Sequence, residues 1–243
     1  MPVEIDEIDP ARLRPLAPAP AVTADQTSCA DDRTDSPGSS ARSGPVGSFQ
    51  YEQVKRAVDI ALALFLGLLS IPLIALLSAY IALESGRPIY ISQQRVGRWG
   101  RKFRLLKFRT LPRQALKSSD RDWFVDADSR IMKLVRRVGL DELPQFLNVL
   151  RGEMSLIGPR PERPYFARRF ERDHPDYSLR YQLLPGMTGW AQVTGWRGDT
   201  SIRRRLEHDL YYLDHWTPAF DLRILLWTVT TAFRNIARPR GEG

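Results

Sequence analysis

The stretch AVDIALALFLGLLSIPLIALLSAYIAL, Ala57 to Leu83, decides the fold, because no other part of the chain is so uniformly apolar. Its single charged residue is Asp59, near its start. A helix of about 20 apolar residues crosses a bilayer, and this stretch of 27 residues is longer than that. The sequence therefore predicts a membrane segment.

The way this segment enters the membrane depends on Pro72, which lies near its middle, two residues after Ser70. A proline inside a helix removes a backbone hydrogen bond and kinks the helix. Basic residues flank both ends of the segment, and lysine and arginine favour the cytoplasmic side. Two basic flanks fit a re-entrant helix that breaks at Ser70-Ile71-Pro72 and returns to the same face. The pattern alone leaves a straight, single-span helix with a tolerated kink as the alternative.

The chain after the membrane segment predicts a short β-hairpin. The runs IYISQ and KFRLLKF alternate in polarity on either side of a VGRWG turn. Lys107 and Arg109 are two residues apart, so a strand would place both on one face, where they would share an anionic ligand. A solvated basic sheet edge is the alternative.

An acidic pair, Asp141 and Glu142, lies near the start of VGLDELPQFLNVLRGEMSLIGPRPE, Val138 to Glu162. Gly139 ends the amphipathic helix before the pair, so a new helix is predicted to begin at the carboxylates. Carboxylates at a helix N-terminus are stabilised by free backbone amides, which makes a helix cap the simplest explanation. A catalytic unit completed by Arg160, held between two prolines, is the other.

A second acidic pattern, DAD at Asp126 to Asp128, lies in a polar connection. Two carboxylates offset by two residues can face one divalent cation. A conventional nucleotide-sugar glycosyltransferase would use such a pattern and release UDP. Three-residue patterns also arise by chance. DAD is therefore kept as an alternative catalytic site to the acidic pair at Asp141 and Glu142.

The net charge of +8 and the pI of about 9.9 indicate an anionic partner. Only five of the 36 basic residues are lysine; arginine suits phosphate ligands, although a GC-rich genome produces the same bias. The sequence contains no helix-turn-helix or aromatic stacking platform, so nucleic acid is not expected as a partner. One cysteine, Cys29, and three separated histidines argue against disulfides and zinc.

The ends of the chain have a different composition from its middle. Residues 1–48 contain seven prolines and no aromatic residue, which predicts a disordered tail without a secretory signal. Residues 49–86 are predicted to contain the membrane segment, residues 87–236 a folded domain and residues 237–243 a C-terminal tail. Within the domain, AFDLRILLWTVTTAF is predicted to lie on the membrane surface, with core packing as the alternative.

The motifs KFRT, LDELPQ, GPRP and PGMTGWAQV, in this order, resemble the bacterial sugar transferase family of monotopic phosphoglycosyl transferases. The resemblance runs from about Tyr51 to Phe233. It implies an α+β, mainly helical fold, with a re-entrant membrane helix hairpin, a small β-hairpin and interfacial helices, at the cytoplasmic face of the bacterial inner membrane. The family breaks its membrane helix at a Ser-Pro pair, whereas here Ile71 separates Ser70 from Pro72.

The resemblance also implies a reaction, in which a sugar 1-phosphate passes from a UDP-sugar to undecaprenyl phosphate and UMP is released. Carried over to this chain, Asp141 is the covalent nucleophile and Glu142 a ligand of Mg²⁺. RGDT, beginning at Arg197, resembles the hexose-1-phosphate transferases of exopolysaccharide synthesis and favours UDP-glucose or UDP-galactose. The sequence leaves open whether the chain forms a homodimer.

The remaining residues expected to bind substrate are Lys107, Arg109, Arg136 and Arg160 around the diphosphate, Gln192 and Arg197 at the nucleotide or sugar, and Gln145, for which local packing is the alternative.

Overall fold

The computed structural model describes residues 49–111, 130–198 and 200–237. The tail predicted at 1–48, residues 238–243 of the tail predicted at 237–243, the DAD pattern at Asp126 to Asp128, and Asp199 of RGDT lie outside the described residues. Ala237, the first residue of the predicted C-terminal tail, instead ends the last helix, Pro218–Ala237. The described elements are α1 Phe49–Leu69, α2 Ile71–Ser85, β1 Tyr90–Val96, β2 Lys102–Phe108, α3 Arg130–Val138, α4 Phe146–Leu150, β3 Ser155–Ile157, α5 Pro164–Asp173, β4 Gly186–Thr188, α6 Trp190–Val193, α7 Ile202–Asp214 and α8 Pro218–Ala237, with 3₁₀ turns at Arg98–Gly100, Leu140–Gln145 and Pro175–Gln182. The fold is mainly helical, as the sequence predicts, and it contains two small sheets, of which the sequence predicts one.

The apolar segment forms two helices that meet at Ser70. The Ser70 hydroxyl donates to the carbonyl of Gly67 at 2.9 Å, and Pro72 lies in the first turn of α2, where its missing amide costs no hydrogen bond. No single helix in the described ranges has the length and apolarity to cross a membrane. One bent pair of helices, Glu52–Leu69 with Ile71–Ser85, is long and apolar enough when its two halves are taken together. The angle between the halves is 57°. The apolar segment is therefore not one straight helix, and a pair bent in this way fits either a broken span or a re-entrant loop.

The predicted hairpin is confirmed, with β1 ending three residues beyond the IYISQ pattern and β2 coinciding with KFRLLKF. Strands β1 and β2 pair antiparallel, from Tyr90 opposite Phe108 to Val96 opposite Lys102. The turn between them needs left-handed backbone at Trp99, with φ 57°, and at Gly100, with φ 73°. The hairpin places alternate side chains of both strands on the face that adjoins the acidic pair.

A second sheet, which the sequence analysis did not predict, consists of β3 and β4 paired in parallel over three residues each. The backbones approach closely where Gly158 passes Gly186. A Cβ atom added to Gly186 would lie 2.1 Å from the amide nitrogen of Gly158. Only glycine permits this contact, which fixes the chain immediately before Arg160.

One hydrophobic core joins the broken helix to the rest of the protein. Ala63 of α1 is fully buried in a cluster with residues of β3, α7 and α8. Polar contacts reinforce the packing, because Asp59 accepts the amide of Leu156 at 3.0 Å and Lys55 pairs with Asp221 of α8 at 2.7 Å. Helix α1 is therefore held against β3, the strand that leads into the GPRP segment.

Helix α8 contains the run predicted to be interfacial. Ile224 is fully buried in the core, whereas Leu222, Leu226 and Val229 are exposed on another face. One face of the helix therefore packs in the core, which is the alternative that the sequence left open. The exposed apolar face is the one available to a membrane surface.

Candidate active site

A cavity of about 580 Å³ lies beside the acidic pair. Its described lining comes from elements that are far apart in the sequence. Basic side chains outnumber acidic ones in this lining by seven to three, so the cavity favours an anionic ligand. The basic residues are Arg95, Lys107, Arg136, Arg160, Arg163, Arg197 and Arg205, and the acidic residues are Asp141, Glu142 and Glu162.

Asp141 and Glu142 lie in the 3₁₀ turn Leu140–Gln145, and the following α-helix begins only at Phe146. The position before the turn belongs to Gly139, whose φ of 84° is in the left-handed region that glycine adopts without strain. Glycine has no side chain with which to cap the turn. Neither carboxylate therefore occupies the N-cap position, and the helix-cap explanation of the pair is not supported.

Glu142 is held by Arg160 through both carboxylate oxygens. One guanidinium nitrogen lies 2.5 Å from Oε1 and the other donates to Oε2 at 3.3 Å. The same guanidinium also donates to the side-chain oxygen of Gln192 at 3.1 Å. Burial alone would raise the pKa of Glu142, but the charge and hydrogen bonds of Arg160 lower it below its usual value. Glu142 is therefore a fixed negative charge.

Asp141 is in a different state from its neighbour. It is 8% exposed, and burial together with the charge of Glu142 raises the pKa of Asp141 to about 7, against the opposing charge of Lys107. Burial, and then the charge of Arg95, lower the pKa of Lys107 to about 8. The two carboxylates thus have pKa values displaced in opposite directions, the pattern expected when adjacent acids have different tasks.

The structure brings together most of the residues that the sequence analysis selected. Two of them, Arg109 and Gln145, are not among the described residues that line the cavity. Gln145 is buried, in keeping with local packing. The predicted residues that do line the cavity are Lys107, Arg136, Asp141, Glu142, Arg160, Gln192 and Arg197.

The expectation that Arg109 shares a ligand with Lys107 needs correction. Strand β2 ends at Phe108, and the buried guanidinium of Arg109 donates to three backbone carbonyls, those of Ser85, Gly86 and Pro88, at 2.5 to 2.7 Å. These bonds tie the end of α2 to the end of the hairpin. The period-two argument failed because it could not tell where the strand stops.

Several cavity residues were missed by the sequence analysis. Arg95 donates to the carbonyl of Pro161 at 3.0 Å and to the side chain of Gln93 at 2.8 Å. Burial, and then the nearby charges of other arginines, lower the pKa of Arg95 to about 10. A signal was present, since Gln93 and Arg95 alternate along β1 on one face. The buried pair between Arg205 and Glu162, at 2.9 Å, joins residues 43 apart and left no local signal.

The backbone of Arg160 is held by a buried ion pair. Arg180 donates to the carbonyl oxygen of Arg160 at 2.8 Å and pairs with Asp209 at 2.7 Å, and the side chains of Arg180 and Asp209 are almost fully buried. The side chain of Arg160, by contrast, is 36% exposed. The backbone of Arg160 is therefore anchored by contacts that do not involve its guanidinium.

The donor set at the acidic pair fits a magnesium ion that takes most of its ligands from a substrate. Mg²⁺ prefers oxygen ligands and is commonly held by one or two carboxylates, water and substrate phosphates. Glu142 would provide the carboxylate. In the described part of the chain no group of three or more acidic, histidine or cysteine side chains could hold a metal ion without such help.

The chain matches known proteins over most of its length. The family model described as bacterial sugar transferase matches residues 50–235. The chain is 39% identical over 186 residues to the UDP-N-acetylgalactosamine-undecaprenyl-phosphate N-acetylgalactosaminephosphotransferase of Aeromonas hydrophila. It is 38% identical over 195 and 198 residues to the UDP-glucose:undecaprenyl-phosphate glucose-1-phosphate transferases of Escherichia coli K12 and Caulobacter vibrioides.

These matches cover 74 to 76% of the chain. They cover 72% of the Caulobacter protein, but only 44% of the Aeromonas protein and 41% of the Escherichia coli protein. The chain therefore spans less than half the length of two of these relatives. The family match itself takes in α1 to α8 with the whole described cavity, and on that evidence the chain belongs to the bacterial sugar transferase family.

Proposed function

We propose that the chain transfers a sugar 1-phosphate from a UDP-sugar to undecaprenyl phosphate and releases UMP. The observation that carries this proposal is that the two adjacent carboxylates have different partners and different pKa values. Glu142 is committed to Arg160, whereas Asp141 has a raised pKa in a cavity with excess positive charge. The names of the relatives, which specify undecaprenyl phosphate as acceptor and UDP-sugars as donors, support the same reaction.

In the first step, a carboxylate oxygen of Asp141 attacks the phosphorus next to the sugar. The bond from that phosphorus to the oxygen shared with UMP breaks, and UMP leaves with the bonding electrons. The product is a phosphosugar held on Asp141 as an acyl phosphate. Lys107 and Arg136 offset charge on the diphosphate, and Arg160 can turn from Glu142 to a phosphate oxygen because its backbone is fixed independently.

In the second step, an oxygen of undecaprenyl phosphate attacks the same phosphorus. The bond to Asp141 breaks, which restores the carboxylate and leaves a lipid diphosphate sugar. Both steps displace an oxygen at one phosphorus, so one set of cations serves them in turn. When bound, Mg²⁺ would supply further charge neutralisation at the diphosphate, with Glu142 as its protein ligand.

The donor and the location belong to the same proposal. We propose glucose or galactose as the sugar, within exopolysaccharide or related glycoconjugate synthesis, from the resemblance at RGDT and the glucose-specific names of two relatives. We place the bent pair α1 and α2 in the cytoplasmic leaflet of the inner membrane as a re-entrant hairpin. The break at Ser70, the 57° bend and the exposed apolar residues of both helices support this placement.

The test is an assay of purified protein in detergent with Mg²⁺, undecaprenyl phosphate and a panel of UDP-sugars that includes UDP-N-acetylgalactosamine. UMP and UDP are measured separately. UMP release that requires the lipid and is lost in Asp141→Asn is the expected result, and the active donor identifies the sugar. Release of UDP in place of UMP would refute phosphosugar transfer and favour conventional glycosyl transfer.

A further inference from the structure

The catalytic cavity has an apolar side that the chemistry of the diphosphate does not use. Helix α8 contributes Leu225, Thr228, Thr231 and Ala232 to the lining, and the spacings of three and four residues between Leu225, Thr228 and Ala232 place those three on one face of the helix. Leu66 of α1 adds a fifth residue. The basic residues of the lining, by contrast, all lie outside these two helices.

The apolar side is close to the phosphate-binding segment. The hydroxyls of Thr188 and Thr228 lie 2.7 Å apart, and Thr228 donates to the carbonyl of Ile224, so Thr188 donates to Thr228. The carbonyl of Thr188 in turn accepts the amide of Gly158 at 2.9 Å, two residues before Arg160. A short chain of hydrogen bonds thus joins the cationic and apolar sides of one cavity.

The apolar side is also continuous with the outer surface of the broken helix. Leu66 lies in the last turn of α1, next to Phe65 and near Leu68 and Leu69, which are exposed. A ligand with an anionic head and a hydrocarbon tail would match this arrangement, with its head among the cations and its tail along α1 and α8. The sugar and the uridine of the donor match it less well, because Leu66, Leu225 and Ala232 offer their polar groups no partner and the Thr228 hydroxyl already bonds to Thr188 and to the carbonyl of Ile224.

We propose that the α8 face formed by Leu225, Thr228 and Ala232, together with Leu66, binds the first isoprene units of the polyprenyl phosphate acceptor. The inference rests on the proposed function and assigns to this face one of the two substrates. It predicts that the face matters for the second half of the reaction and not for the first.

The test compares Ala232→Trp with Val229→Trp. Both place an indole on α8, but Val229 is 55% exposed and is not among the described residues that line the cavity. The first half-reaction is followed as exchange of labelled UMP into the UDP-sugar without acceptor. The second is followed as formation of the lipid diphosphate sugar.

For Ala232→Trp we expect exchange within about twofold of the wild type, with transfer to undecaprenyl phosphate reduced by about tenfold or more and a raised KM for the lipid. Val229→Trp should change neither. Equal loss of exchange and transfer in Ala232→Trp, or full retention of both, would overturn the assignment. Absence of exchange in the wild type would instead refute the proposed function.

A measurement on the wild type covers the case in which Ala232→Trp does not fold. A prenyl phosphate carrying a diazirine in its first isoprene unit is bound to the full chain and photolysed, with undecaprenyl phosphate as competitor. We expect competed labelling of α8 between Leu225 and Ala232, or of α1 at Leu66. Competed labelling confined to α2 or to the hairpin would overturn the proposal.

Discussion

Replacement of Asp141 by asparagine should stabilise the folded protein while abolishing its activity. The raised pKa of Asp141 means that the folded state resists ionisation of this carboxyl. Asparagine has nearly the same shape and carries no charge, so it avoids the cost of a buried carboxylate beside Glu142. The variant should therefore unfold at a higher temperature than the wild type at neutral and alkaline pH.

The size of the effect follows from the two pKa values. The ordinary value for this group is 3.8 and the value in the folded protein is about 7. Between these values the folded state keeps a proton that the unfolded state has lost, so the wild type loses about 1.4 kcal/mol of stability per pH unit. The loss stops above pH 7, where both states are ionised, at a total of about 4 kcal/mol. For a protein of this size, that corresponds to roughly 8–16 °C in Tm.

The assay is thermal unfolding in detergent from pH 4 to pH 9, with a chelator present so that no divalent cation contributes. The difference in Tm between Asp141→Asn and the wild type should grow up to about pH 7 and then level off. Asp173→Asn is the matched control, because Asp173 is exposed and its variant should melt in parallel with the wild type. The same comparison can be made with Glu142→Gln in both proteins. Without the charge of Glu142, the pKa of Asp141 should fall, so the Tm difference caused by Asp141→Asn should level off at a lower pH. Parallel curves for Asp141→Asn and the wild type would refute the burial argument.

Three further predictions concern the cation site and the backbone around it. Arg160→Gln frees both oxygens of Glu142, so the substrate-free protein should bind Mn²⁺ about tenfold more tightly by electron paramagnetic resonance. Arg197→Gln removes the same charge from the cavity without freeing Glu142, and an equal gain in that variant would contradict the argument. Asn148→Ala loses three hydrogen bonds that tie α4 to β2 and to the loop after α4, and should cost roughly 2–4 kcal/mol of stability, measured by denaturant unfolding. Gly158→Ala would place a Cβ 2.3 Å from a backbone carbonyl oxygen and should cost roughly 3 kcal/mol or more; a wild-type melting temperature would show that the parallel sheet can separate there.

The features that the sequence predicted correctly are those set by local chemistry. The hairpin follows from alternation around a glycine-containing turn, and the helix break at Ser70 follows from Pro72 in an apolar run. The acidic pair was visible as a motif, but its separate environments were not, because Arg160 reaches Glu142 from 18 residues away. Local pattern also misplaced Arg109, whose partners are carbonyls more than 20 residues earlier in the chain.

The parallel sheet shows why the remainder could not be predicted. Strands β3 and β4 have three residues each, too few for a period-two pattern to be recognised. What specifies their pairing is the lack of side chains at Gly158 and Gly186, which lets the two backbones touch. A single sequence shows these glycines but does not show that they meet.

The adjacency of Asp141 and Glu142 has a physical consequence for the order of events at the site. Successive side chains of a 3₁₀ turn point about 120° apart, so neighbours in sequence can have different surroundings. Here one carboxylate faces Arg160 and the other is buried. An incoming diphosphate brings more negative charge and, by itself, would raise the pKa of Asp141 further and keep it protonated. In the proposed reaction, positive charge that arrives with the substrate would offset this effect and favour the ionised, nucleophilic form of Asp141. That charge would come from Arg160 turning towards the phosphates or from a divalent cation bound to Glu142. The pair would therefore favour attack when donor and cation are present together.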